Sequence, residues 1–351
     1  MRIVIMRGEE MMHQQRLFNK VKLGSVVLLI VVMAVSLLTA CGTGKANQVE
    51  PSQETAAPQE SKQAAATDEP GAEAATKTVT DEQGHELVIP SKPVKVFAPY
   101  MEDSLLSLGV TPVAQWANGD KGQAYLQDRL QNVPTANFTG GLPPSPEQIM
   151  DFEPDLIILH TAHYADNGVY DNYSKIAPTY VFNNAAGDLD SSITKLGELL
   201  GKEEEAKQAL ADYAKKKEEA KAKLAPVTEG KNAVLINFNA KGMYLIGGNY
   251  FGGYVLSHEL GIGKSKLVET KNSVDASLEI LPELDADFIF TIDYAGSGAA
   301  NIKELTDNEI WRSMPAVKAG HVYEVSDEYW TGGGLIAYGK IIDDVVGFLA
   351  P

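Results

Sequence analysis

One thirteen-residue pattern occurs twice in this chain. Ser145-Pro146-Glu147-Gln148-Ile149-Met150-Asp151-Phe152-Glu153-Pro154-Asp155-Leu156-Ile157 aligns without a gap with Ser277-Leu278-Glu279-Ile280-Leu281-Pro282-Glu283-Leu284-Asp285-Ala286-Asp287-Phe288-Ile289, at a constant offset of 132 residues. Each copy reads as a serine N-cap, a glutamate in the first helical turn, a short helix, an acidic turn and a buried strand. A unit repeated that far apart predicts two similar lobes.

The rest of the chain supports this. Asp81-Glu82-Gln83-Gly84 separates two short polar/apolar alternations and predicts a hairpin over Val79 to Ile89. Strands are expected at 94–98, 156–159, 179–182, 233–238, 243–246, 288–292 and 321–325, and helices at 102–108, 146–152, 253–260, 278–284, 301–314 and 335–349. Strands alternating with helices predict mostly parallel sheets covered on both faces. Between the halves, a helix over 191–200 stops at Gly201, and Lys202 to Ala225 reads as one long helix with Ala206, Leu210, Tyr213 and Ala214 on a single buried face. That stretch is roughly 36 Å long, enough to cross a lobe, and Pro226 is expected to end it. The fold class is therefore α/β, with two similar lobes joined by one long α-helix. The expected division is an amino-terminal lobe over 77–190, linking helices over 191–225 and a carboxyl-terminal lobe over 226–351.

The first 76 residues are of a different kind. Arg16, Lys20 and Lys22 precede an apolar run from Leu23 to Leu38, followed by Thr39-Ala40-Cys41-Gly42. A basic region, an apolar region and small residues before a cleavage point make residues 1–40 a signal peptide. The run is short for a spanning helix, which needs roughly 20 residues. Leu-Thr-Ala-Cys-Gly resembles the bacterial lipobox, which implies that Cys41 becomes the lipidated first residue. Cys41 is the only cysteine in the chain, so it has no disulfide partner within it. Residues 42–76 are poor in aliphatic side chains other than alanine and are expected to form a disordered tether on the outer face of the cytoplasmic membrane. A net charge of −17, more acidic still once the basic leader is removed, argues against a nucleic-acid partner and requires any anionic ligand to find a local basic pocket.

Residues 77–350 carry Glu102-Asp103 with Leu105-Leu106 and Leu108-Gly109-Val110, Ser145-x-Glu147 with Pro154-Asp155-Leu156-Ile157-Ile158, Ile176-Ala177-Pro178-Thr179, Leu199-x-Gly201-Lys202-Glu203-Glu204, Ser277-Leu278-Glu279, and Trp311 with Pro315-Ala316-Val317-Lys318 and Val322-Tyr323. In these motifs the chain resembles the substrate-binding proteins of bacterial ABC importers for iron-siderophores and vitamin B12, whose lobes are joined by a single long helix. The resemblance implies no catalysed reaction and no intrinsic cofactor. It implies a ferric siderophore bound between the lobes by a monomer, and Glu147 and Glu279 docked on arginines of the two subunits of an ABC permease. By themselves, the two glutamates read either as helix-start charges or as a symmetric docking pair.

In open α/β sheets, ligands bind beyond the carboxyl ends of strands. Tyr100, Trp116, Tyr164, Tyr250 and Trp330 fall at such ends or in loops and are the expected cleft aromatics. Lys271 lies in a loop that resembles one presenting a ligand-binding lysine. Arg129 and Arg312 are the only arginines after residue 76, which favours a hydroxamate, mixed or citrate chelate over a triscatecholate. Two alternatives follow. A haem or cobalamin protein of the same class would draw an axial haem ligand from Tyr164, His160 or His163; an extracytoplasmic hydrolase would need Glu147 and Glu279 facing each other at about 5–10 Å. His160-x-x-His163 lacks a third ligand at metal-site spacing, Gly261-Ile262-Gly263-Lys264-Ser265 has His258 where a phosphate loop needs glycine, and no nucleophile elbow occurs.

Overall fold

The computed structural model describes residues 75–119 and 121–350. The leader, Cys41 and the tether up to residue 74 lie outside the described residues. β1 (Thr76–Thr80) and β2 (Glu86–Pro90) form the expected antiparallel hairpin, with Gly84 in its turn at φ +91. Buried Asp81 explains why the turn is fixed. Its carboxylate accepts the N–H groups of Gln83, His85 and, from the adjoining sheet, Val181.

That sheet is all parallel. β3 (Val96–Phe97), β4 (Gln115–Ala117), β5 (Thr135–Asn137), β6 (Leu156–Leu159) and β7 (Thr179–Val181) pair as β3-β6-β7 and β4-β5, and a bridge between Phe97 and Ala114 joins the two sets. All four side chains of β6 are buried, as expected for a central strand covered on both faces. α1 (Glu102–Ser107) follows β3, and α2 (Pro146–Met150) leads toward β6.

α3 (Leu189–Leu200) starts where Asp188 accepts the Ser191 N–H and ends at Gly201 in the left-handed conformation. α4 (Glu203–Thr228) is 26 residues long. Two expectations about α4 need correction. Pro226 does not end it, because the lost bond falls within the final turn, where the Thr228 hydroxyl donates to the Leu224 carbonyl. Its buried stripe runs through Ala206, Tyr213, Ala220 and Leu224, while Ala214 is exposed.

The carboxyl-terminal sheet is mixed. β8 (Asn232–Asn239), β9 (Gly242–Ile246), β10 (Gly263–Lys264), β11 (Ser273–Ala276), β12 (Phe288–Asp293) and β13 (Val322–Glu324) form one sheet in which β12 is parallel to both β8 and β13, while β9 runs antiparallel to β8 and β11. The helix expected over 301–314 is two, Ala299–Asp307 and Glu309–Ser313, because the Asn308 side chain accepts the N–H groups of Ile310 and Trp311 and starts a new helix. The stretch 278–284 is 3-10 over Leu278–Glu283, with Pro282 inside it. α5 (Leu335–Leu349) closes the fold.

Each lobe has its own core on one side of its sheet. Phe97, Ile149, Ile157 and Tyr173 form one, and Ile236, Leu281, Ile289 and Trp311 the other. A third core is continuous from Ile89 and Leu105 through Leu196 and Leu224 to Phe290 and Ile341, so the linking helices and α5 belong to both lobes. Among the described residues, no helix is long and apolar enough to cross a membrane.

Candidate functional site

Five aromatic rings meet at the carboxyl ends of the parallel strands of the amino-terminal lobe. Tyr100 follows β3, Trp116 lies in β4, Phe138 follows β5, and His160 and Tyr164 follow β6. The Tyr100 ring lies 5.1 Å from Trp116, 5.3 Å from Phe138, 4.6 Å from His160 and 5.5 Å from Tyr164, and the Tyr164 hydroxyl donates to that of Tyr100 at 3.1 Å. These separations are in the range of favourable aromatic pairing. Tyr100 has φ +67, a left-handed conformation that a tyrosine adopts only under constraint from its surroundings. Burial lowers the His160 imidazole to about 4, so it is a neutral ring at pH 7. His163, in contrast, is exposed beside Asp166 at 3.6 Å. The pair does not converge, and among the described residues no group of three or more His, Cys, Asp or Glu is placed to hold a metal ion.

The structure thus brings Tyr100, Trp116 and Tyr164 together and adds Phe138 and His160. Phe138 was missed because one phenylalanine after a three-residue strand has no pattern of its own.

In the carboxyl-terminal lobe, Tyr250 is 42% exposed beyond the end of β9, with its ring 3.8 Å from that of Phe251. Tyr294, 47% exposed after β12, is also on the surface of this lobe. Lys271 is exposed, and its backbone is fixed: the Gly247 N–H donates to the Asn272 carbonyl, and a Cβ on Gly247 would lie 1.8 Å from the Lys271 carbonyl oxygen. Only glycine allows this approach. Trp330 is not a cleft residue. It is fully buried, its ring stacks on Phe290 at 5.0 Å, and its indole N–H donates to Asp344. The short helix Asp327–Trp330 turns this ring inward over Gly252, where a Cβ would come within 2.4 Å of it.

Neither arginine belongs to the box. Arg129 donates to the Leu106 carbonyl at 2.8 Å, and Arg312 to the carbonyls of Thr306 and Asp307.

Glu147 and Glu279 are both exposed in the first turns of their helices. The carboxylate of Glu147 is held below its usual range by its own backbone N–H and by the Ser145 hydroxyl. It lies in an open surface cavity of about 720 Å³ with Met150, Asn172, Lys175 and Ile176. Glu279 is not among the residues lining that cavity.

One acid is hidden where the lobes meet. Asp103 accepts the N–H groups of Ile336 and Ala337 at 2.9 Å each, and the Tyr125 hydroxyl at 3.0 Å, so a carboxylate of α1 caps the start of α5. Burial raises it to about 6 against those three donors. Gly334 accommodates it, since a Cβ there would lie 2.2 Å from an Asp103 oxygen.

Two α/β lobes sharing a core along one long helix, with an aromatic wall at the strand ends, define a receptor of the bilobal binding-protein class. The chain belongs to the periplasmic binding protein family, whose model matches residues 103–329. It is 29% identical to the probable siderophore-binding lipoprotein YfiY of Bacillus subtilis (strain 168), over 77% of this chain and 86% of that one. It is also 29% identical to the iron(3+)-hydroxamate-binding protein FhuD of the same organism, over 87% and 90%. Among solved structures, Staphylococcus aureus SirA complexed with staphyloferrin B matches with a TM-score of 0.67 at 26% identity, covering 78% of this chain and 98% of that one.

Proposed function

We propose that this protein is a lipid-anchored extracytoplasmic receptor that binds a ferric siderophore between its lobes and delivers it to an ABC permease, catalysing no reaction. The aromatic box carries the reading. Tyr100, Trp116, His160 and Tyr164, backed by the buried ring of Phe138, offer flat, uncharged faces and two hydroxyls at the strand ends of one lobe, which suits a bulky metal chelate that brings its own iron ligands. No intrinsic cofactor is needed. Tyr250 and Lys271 are proposed as the facing contacts from the other lobe, with Lys271 meeting a carboxylate or other anionic group of the chelate. Binding proteins with iron-hydroxamate and staphyloferrin ligands among the similar chains support this class.

Glu147 and Glu279 are the proposed docking contacts on a two-subunit permease, and their exposure supports this. Cys41 is the proposed lipid attachment, with residues 1–40 as leader, 41–76 as tether and the lobes divided at 77–190, 191–225 and 226–351; the acting unit is a monomer. Equilibrium dialysis of the mature protein against 55Fe-loaded hydroxamate, citrate and catecholate chelates tests the reading. One class should bind saturably at one iron per chain, and saturable binding of none would refute it.

A further inference from the structure

Glu102 stands next to the acid that caps α5. It is 1% exposed in the first turn of α1, and its Oε1 accepts the backbone N–H of Trp116 at 2.5 Å. Its other oxygen is buried with no partner within 3.5 Å, and the Glu102 and Tyr100 N–H groups act on the carboxyl from farther off. A buried carboxyl with one free oxygen is costly, about 1–3 kcal/mol or more, so a fold keeps it only where the contact it makes does something else. Here the contact joins two of the five rings of the box: Trp116 through its amide, and Tyr100, two residues upstream in its left-handed turn, through the start of α1.

We propose that Glu102 is the positioning residue of the aromatic box, holding β4 at Trp116 against the turn that carries Tyr100 so that both rings are set before a ligand arrives. The proposal rests on the receptor reading for what the box binds, but not for the positioning itself. Burial pushes the Glu102 carboxyl up to about 7, with the N–H groups of Trp116, Glu102 and Tyr100 pulling it back down. The titratable groups around it are Asp103 on α1, Tyr100 on the preceding turn and Tyr125 on the 124–126 turn, while Arg129 acts on Asp103. Protonation near neutral pH, on the oxygen that Trp116 does not occupy, therefore removes the charge from the acceptor of the Trp116 amide.

The test follows the Trp116 amide by 15N NMR through a pH titration in the mature wild-type protein, Glu102→Gln and Asp103→Asn. The amide shift should pass through a transition near pH 7 in wild type, lose it in Glu102→Gln and keep it in Asp103→Asn. In parallel, 55Fe-loaded ferrioxamine B, ferric citrate and a ferric triscatecholate are dialysed against wild type and Glu102→Gln. At pH 8, where Glu102 is ionised, the chelate that binds wild type should bind the variant about tenfold more weakly, because an amide oxygen holds the Trp116 N–H less strongly than a carboxylate does. If Glu102→Gln does not fold, Glu102→Asp, whose carboxyl is withdrawn from Trp116, should speed hydrogen exchange at that amide. A Trp116 transition that survives Glu102→Gln, or an unchanged affinity, overturns the proposal. Should no chelate bind wild type, the receptor reading fails while the amide titration still decides the role of Glu102.

Discussion

The two copies of the repeat keep one contact and lose another. Asp155, in the first, accepts the N–H groups of Val94 and Lys95 at 2.9 and 3.0 Å, fixing the approach to β3 beside β6. Asp287, in the second, accepts the Asn232 N–H at 2.9 Å and binds Lys231, fixing the start of β8 beside β12. In both lobes an aspartate before the second strand pins the first. The serine differs. Ser145 accepts the Gln148 N–H and opens an α-helix with Pro146 in its first turn, whereas the Ser277 side chain caps nothing and Pro282 sits in a 3-10 turn. What the fold keeps in both places is the strand anchor and an exposed glutamate, not the helix that presents it.

Breaking the symmetric pair should give the largest effect. Glu147→Ala with Glu279→Ala should abolish 55Fe uptake by cells while dialysis of the purified protein shows unchanged chelate affinity, and each single change should leave part of the uptake. A loss of affinity in the double variant would return the glutamates to the ligand site.

Next in size are the strand anchors. Asp155→Ala leaves two backbone N–H groups without their acceptor and should cost about 2 kcal/mol of unfolding free energy, read from a denaturant titration; Asp287→Ala, with one such group, should cost less.

The lobes differ also in buried charge. Glu259, in the carboxyl-terminal lobe, is paired with Lys217 at 3.1 Å and with the Tyr213 hydroxyl at 3.0 Å, whereas Glu102 and Asp103 have no ion pair within 4 Å among the described residues. Their raised values, about 7 and about 6, mean that their contribution to stability is complete below the unfolded carboxylate range and is lost as pH rises through 6 to 7. Glu102→Gln should therefore melt higher than wild type at pH 8 and close to wild type at pH 4, in thermal scans followed by circular dichroism. The same substitution weakens the proposed ligand wall, a trade between stability and function.

The smallest effect separates the serines. Ser145→Ala should cost about 1 kcal/mol for a lost cap, and Ser277→Ala close to nothing.

The repeat was legible because helix start, acidic turn and apolar strand each follow local chemistry. The strands at 156–159 and 288–293 and the helix at 335–349 appear where expected for the same reason. Tertiary contacts were not legible. Trp330 and Trp116 look alike in sequence, each an aromatic near a strand, yet one is buried by Phe290 and Gly252 while the other lines the box. In sequence His160 reads equally as a metal or haem ligand, and its neutrality follows from burial that only the packed neighbours create. The Glu102-Asp103 motif was readable, but not that its two side chains serve different lobes. The apolar periodicity across 301–314 is continuous, and the second helix start at Asn308 follows only from the side-chain contacts seen in the fold.

The aromatic box is the proposed wall that meets the ferric chelate. The chain has three tryptophans, of which Trp311 and Trp330 are buried in cores. Fluorescence quenching by the chelate that binds in dialysis tests it most directly, measured in wild type, Trp116→Phe and Trp311→Phe. The account predicts weakened binding and loss of most of the quenching in Trp116→Phe, with Trp311→Phe binding as wild type does. Unchanged affinity and quenching in Trp116→Phe would contradict it.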